Sequence, residues 1–373
     1  MSEAIVLPEP DRVPGAPHPR ETPRVLGQGQ AEADFLTAYS TGRLHHGWLI
    51  TGPRGTGKAT LAWAIARFLL ATPPEEGDGL FGAPPPPDSL GIAPDHPVSR
   101  RLLALSEPGL FLLRRGPNDK GDKLAGEIRV PEVRKLSNFF ALSAADGGRR
   151  VVIVDAADEL NTNAANALLK MLEEPPARTT LLLISHQPAG LLPTIRSRCR
   201  ELRLGPLGAE DMAAALAQAG VETPDEGAAA LTELAGGSVG AAVRLLNLGG
   251  LALYREIMAV LGSLPTLDRP RMMGLADSFA GRGKEEQLDL LLTLVDLATA
   301  RIARFGATGV PPAAEAAPGE HTALAKLCPD QTAARCWAEV AQNAADRARH
   351  ARAVNVEPAA LVTDLFLQLR HAV

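Results

Sequence analysis

Apolar and polar positions alternate in blocks along the first 205 residues. Short runs that read as strands occur at Trp48-Leu49-Ile50-Thr51, Phe111-Leu112-Leu113, Val151-Val152-Ile153-Val154, Leu181-Leu182-Leu183-Ile184 and Glu201-Leu202-Arg203-Leu204. Between them, apolar residues recur at helical spacing. Examples are Leu61, Ile65, Phe68 and Leu69, then 130–142 opened by Pro131 at a helix start, then 162–172 stopped by Pro175-Pro176, and a short helix at 191–197. Strands alternating with helices predict an α/β domain, a parallel sheet covered on both faces. After Pro206 the pattern becomes alanine- and leucine-rich helical periodicity without strands, at 213–217, 228–234, 286–304 and 332–353.

Composition breaks divide the chain further. Residues 1–23 are rich in proline and charge and read as a mobile leader; a second proline and glycine cluster at 72–97, including Pro84-Pro85-Pro86-Pro87, reads as an exposed insertion. Order is expected to resume at 101–105. Gly205 and Gly249-Gly250 mark further boundaries, so the expected organisation is a sheet domain at 24–205, a small helical domain at 206–249 and a helical domain at 250–373.

The chain has 373 residues, enough for two or three domains, and its 46% apolar content suits packed cores. No run of about 18 apolar residues occurs and the first residues lack a signal-peptide core, which makes the cytoplasm the expected compartment. Cys199, Cys328 and Cys336 are scattered, with neither disulfide nor zinc spacing. A net charge of −5 argues against a surface built throughout for phosphate backbones, without excluding a local basic face.

The chemistry concentrates in three places. Gly52-Pro53-Arg54-Gly55-Thr56-Gly57-Lys58-Ala59 follows a strand and opens a helix, as a phosphate loop does: backbone N–H groups wrap the phosphates, lysine adds a point charge and a final hydroxyl holds Mg²⁺. Here that hydroxyl is replaced by Ala59, and Thr60 lies one position too late. Either the loop binds nucleotide weakly or it survives as a turn. Asp155, at a strand end, fits the carboxylate that positions Mg²⁺. The adjacent position, where a second acid would polarise water, is Ala156, and Asp158 and Glu159 fall on the next turn. Ser197-Arg198-Cys199 lies between a short helix and a strand. Arg198 is then either a solvated member of Arg196, Arg198 and Arg200 or a cation reaching a neighbouring subunit's phosphates.

Several motifs together resemble the clamp-loader branch of the AAA+ proteins: Val25-Leu26-Gly27-Gln28, His46-Gly47-Trp48-Leu49-Ile50-Thr51-Gly52-Pro53, the segment 164–176 ending Leu172-Glu173-Glu174-Pro175-Pro176, and Ser197-Arg198-Cys199. The resemblance covers about 20–250. It implies a RecA-like AAA+ domain, a helical lid and an all-α collar in a five-membered ring. It also implies that Arg198, flanked by Ser197 and Cys199, completes the ATP site of an adjacent subunit in trans, and that Ser185 holds the sensor-1 position. Motor subunits of this branch carry Ser or Thr after the loop lysine, an acid after the strand-end aspartate and an arginine in the lid; Ala59, Ala156 and Gly240 stand there instead. The resemblance therefore implies a non-hydrolysing subunit that requires no cofactor. Gly52, Gly55, Gly57, Lys58, Asp155 and Ser185 would form at most a weak ATP site, with no metal, and ATP would be bound mainly by the neighbour. Implied partners are tau/gamma-type motor and delta-type subunits, with the sliding clamp and primed DNA reached through them and no membrane. Rival readings are an active ATPase motor of the same branch and a phosphate-loop small-molecule kinase. The kinase lacks a second substrate motif in the helical third.

Overall fold

The computed structural model describes residues 7–72, 86–142, 148–223, 227–281 and 283–373. The chain packs as two compact units. One runs to Glu222 and takes in Gly237–Gly240; the other comprises Thr223–Gly236 and Ala241–Val373.

The first unit is built on five parallel strands: β1 (Gly47–Thr51), β2 (Leu110–Arg114), β3 (Arg150–Asp155), β4 (Thr179–Ser185) and β5 (Arg200–Arg203), in the order β2-β3-β4-β1-β5. Successive strand residues face opposite sides, which sorts the apolar runs into two cores. Trp48, Ile50, Val151, Ile153, Leu182 and Ile184 pack beneath α1 (Gly29–Ser40) and α2 (Lys58–Ala71). Leu49, Val152, Val154, Leu181 and Leu183 pack against α4 (Val130–Leu142) and α5 (Thr162–Glu173), α3 being the short helix Pro97–Leu103. Burial on both sides is why these strands read as unbroken apolar runs. Helix α5 starts where Asn161 accepts a hydrogen bond from the Ala164 N–H, and Ala164, Ala165, Leu168 and Leu172 turn inward at helical spacing. This is the parallel, doubly covered sheet that the strand pattern predicts. The unit continues through α6 (Pro193–Arg196) and α7 (Ala209–Gln218).

Residues 7–23 depart from the expected mobile leader. His18 is fully buried, edge-on to Trp63 of α2, with ring centroids 5.7 Å apart, and Arg67 of α2 donates to the Arg20 carbonyl at 2.7 Å. Asp11 and Glu9 pair with Arg114 and Arg20 at 2.8 and 2.6 Å. Trp63, Arg67 and Arg114 lie outside the segment, so its own composition gives no sign of them. The proline-rich insertion falls partly outside the described residues. Within them Leu90 is buried and its N–H donates to Glu32 at 2.8 Å, and α3 begins at Pro97, ahead of the expected resumption at 101.

The second unit is helical, as its periodicity predicts. It holds α8 (Ala228–Ala235), most of α9 (Val239–Asn247), α10 (Gly250–Gly262), α11 (Arg269–Asp277), α12 (Glu285–Thr308), α13 (Glu320–Leu327), α14 (Gln331–Ala353) and α15 (Pro358–Leu369). Helix α12 packs along α10, α13 and α14. Glu320 is buried among them, yet accepts from Tyr254 (2.6 Å), Arg301 (2.9 Å) and the Ala316 N–H (2.6 Å). A buried carboxylate with this many donors is compensated, whereas removal of one partner would leave a charge stranded. Among the described residues no single helix is long and apolar enough to cross a membrane.

Candidate functional site: a degenerate phosphate loop and an exposed arginine

The glycine loop connects β1 to α2 at the carboxyl end of the sheet, where ligands bind in open α/β folds. Gly57 enters α2 with φ +94°, and Gly55 has φ +75°, conformations that favour glycine. A side chain at Gly52 would run into the Leu204 carbonyl. Gln28 pins this arrangement: its amide donates to the Thr56 and Gly205 carbonyls at 3.1 and 2.9 Å and accepts from the Gly205 N–H at 3.2 Å. The motif around Val25–Gln28 thus acts by tying the loop to the chain leaving β5.

The lysine is turned in on its own loop. Lys58 is buried and donates to the Gly52 and Pro53 carbonyls at 2.7 and 2.5 Å. Burial pulls its pKa down to about 8 against the pull of Asp155 and Asp158. Burial likewise pushes Asp155 up to about 7, reinforced by the Asp11 and Glu159 charges and opposed by Lys58 and Arg114. Near the loop, the Gly240 N–H meets the Gly55 carbonyl at 3.4 Å. A Cβ at Gly240 would lie 3.2 Å from the Gly55 Cα, a tight contact to which the loop would have to give by a few tenths of an ångström. Ala59 offers no side-chain hydroxyl and Ala156 no carboxylate at the positions where a Mg²⁺ site of this kind would use them, which leaves Asp155 as the remaining carboxylate.

Ser185 and Asp158 occupy each other. The Ser185 hydroxyl donates to Asp158 at 2.6 Å, which also accepts from the backbone N–H groups of His186 and Gln187 and contacts the His186 ring at 3.2 Å. Burial acts to raise the Asp158 pKa, but bonds from His186, Ser185 and Gln187 outweigh it and hold the carboxyl well below its usual range. Asp158 therefore ties the end of β3 to the end of β4, while Glu159 pairs with Arg115 at 2.9 Å. This coupling of Asp158 to Ser185 is not evident from sequence, where the two are 27 residues apart.

Arg198 lies at the other end of the sheet. Strand β5 runs parallel to β1 with Trp48 opposite Arg200 and Thr51 opposite Arg203, so the loop follows the carboxyl end of β1 while Arg198 precedes β5. Its backbone carbonyl sits against Gly47, where a Cβ would approach to 3.0 Å. The length of β5 alone, at ~3.3 Å per residue, puts more than ~10 Å between the two. Its side chain is 38% exposed, and the guanidinium is held by the Glu173 carboxylate at 2.9 Å and the Thr194 carbonyl at 3.1 Å. Ser197 caps α6, donating to the same Thr194 carbonyl. Arg200 instead stacks over Trp48, 5.3 Å from the ring centroid. Burial pushes the Cys199 thiol up to about 12, which makes it a packing residue rather than a nucleophile. Among the described residues no cluster of His, Cys, Asp and Glu is arranged to hold a metal ion.

Residues 27–208 match the family model described as "DNA polymerase III, delta subunit". The chain is 39% identical over 204 residues to DNA polymerase III subunit delta' of Pseudomonas aeruginosa, covering 55% of this chain and 56% of that protein. Subunit delta' of Escherichia coli is 33% identical over 221 residues, 57% and 58% of the respective lengths. Subunit gamma/tau of Mycobacterium tuberculosis is 30% identical over 202 residues, 54% of this chain and 31% of that protein. A solved gamma subunit-related protein of Thermotoga maritima aligns with a TM-score of 0.38 at 14% identity, over 91% of this chain and 100% of that one. The chain spans little more than half the length of the Pseudomonas and Escherichia relatives. Over residues 27–208 the chain is thus similar to the delta-prime subunits of DNA polymerase III.

Proposed function

We propose that this chain is a non-hydrolysing subunit of the replicative clamp loader, which presents Arg198 to the ATP site of a neighbouring gamma/tau-type subunit and so supports loading of a sliding clamp on primed DNA. The observation that carries this reading is the separation of the two elements. Arg198 precedes β5 at the amino end of the sheet, whereas the chain's own loop follows β1 at the carboxyl end. A cation so placed serves a phosphate in another molecule or none. Its exposure and its pairing with the exposed Glu173 leave it free to exchange one anion for another, since such surface pairs are worth only ~0–1 kcal/mol.

The state of the loop supports the same reading from the other side. Hydrolysis needs an activated water and a held metal, and the groups for both are absent at Ala59 and Ala156, while Ser185 is already bonded to Asp158. A delta-type subunit would complete the ring. The test is ATP hydrolysis by an assembly reconstituted from purified gamma/tau-type and delta-type subunits on primed DNA, with and without this chain. Hydrolysis that rises on its addition is expected. A rate indifferent to its presence overturns the reading.

A further inference from the structure

Residues 9–21 lie against the mouth of the phosphate loop, and nothing in the role assigned to Arg198 uses them. Asp11 accepts from Arg114 at 2.8 Å and lies 3.0 Å from the ring of His18; Arg114 is the β2 residue level with Asp155 at the end of β3. The segment therefore crosses the carboxyl ends of β2 and β3. Its next turn brings Val13 to the place where Gly240 meets Gly55 of the loop. From there the chain returns to α2, where buried His18 packs on Trp63 and the Arg20 carbonyl accepts from Arg67. The Glu9 carboxylate closes the turn on Arg20 at 2.6 Å and lies 3.5 Å from Arg114.

We propose that residues 9–21 form an intramolecular strap that holds the phosphate loop closed and competes with a nucleoside triphosphate for it. The competition is electrostatic and steric. Asp11 is nearly buried beside Arg114, close enough to Asp155 that its charge opposes ionisation there, so the phosphates of an incoming ligand would meet a carboxylate already in place. Gly240 crowds the loop backbone at Gly55, Val13 lies beside Gly240, and Lys58 is satisfied by the Gly52 and Pro53 carbonyls. A ligand entering the loop must therefore displace the strap, and its apparent affinity is reduced by the fraction of molecules in which the strap is open. The strap acts on the chain's own loop and does not depend on what Arg198 does.

The experiment is equilibrium binding of ATP to the full chain, by calorimetry, in the natural sequence and in Glu9→Gln/Asp11→Asn. These changes keep the shape of the segment and remove its charges. A strap closed nine-tenths of the time gives about tenfold tighter ATP binding in the variant. Equal or weaker binding overturns the proposal, as does an absence of binding in both forms, which would place the defect in the loop itself. A second measurement needs no variant. Arg12 is exposed within the strap, so ATP should accelerate tryptic cleavage after it in the natural chain; unchanged or slower cleavage overturns the proposal.

Discussion

Replacing Arg198 with alanine is expected to slow hydrolysis at the neighbouring ATP site by ~10³-fold or more, the effect of removing a cation that stabilises charge on a transferring phosphoryl group. The measurement is single-turnover hydrolysis in the reconstituted assembly on primed DNA. The fold should be indifferent to the change. Arg198 contacts an exposed carboxylate and the Thr194 carbonyl at the surface, and breaking such a pair costs only ~0–1 kcal/mol. Unaltered urea denaturation alongside lost hydrolysis would thus separate a catalytic loss from a structural one. Arg198→Lys is a sharper variant, because an ammonium keeps the charge but loses the planar fork that grips two phosphate oxygens. It should recover little of the lost rate.

The Asp155→Asn chain should be more stable than the natural one at pH 8, by as much as ~4 kcal/mol, with the difference vanishing near pH 4. The folded Asp155 has its pKa raised from 3.8 to about 7, chiefly by burial. Between these values the folded state keeps a proton that the unfolded chain has released, so stability falls as pH rises through that window and the deficit is complete above it. Asparagine removes the deficit while preserving shape. Lys58 behaves in the opposite sense: its pKa is lowered to about 8, so the unfolded chain holds the extra proton up to 10.5 and stability rises with pH over that range in both proteins. Urea denaturation from pH 4 to 10.5 checks both signs. A difference constant across pH would show that burial of the Asp155 charge is not its source.

The parts legible in the sequence are those set by local pattern. Val151-Val152-Ile153-Val154 and Leu181-Leu182-Leu183-Ile184 announce strands buried on both faces, and Pro175 announces the end of α5, because periodicity and ring closure act over a few residues. The glycine loop was visible for the same reason, its positive φ at Gly55 and Gly57 requiring that residue type. What stayed hidden depends on partners distant in the chain. Glu9-Pro10-Asp11 reads as a polar leader until Arg114, more than 100 residues on, is brought to it. Ser185 reads as a polar strand end until Asp158 takes its hydroxyl, and Arg198 as one of several arginines until Arg200 is occupied by Trp48. The start of α3 carried a local signal, Pro97 at the first helical turn with His96 as its cap, masked by the proline-rich run before it.

This loop should not hydrolyse ATP, the chain's contribution to turnover being made elsewhere. The most direct test is phosphate release by the isolated full chain at saturating Mg-ATP, beside Lys58→Ala. Both should release phosphate at the same background rate. Release well above background that disappears with Lys58→Ala would contradict this.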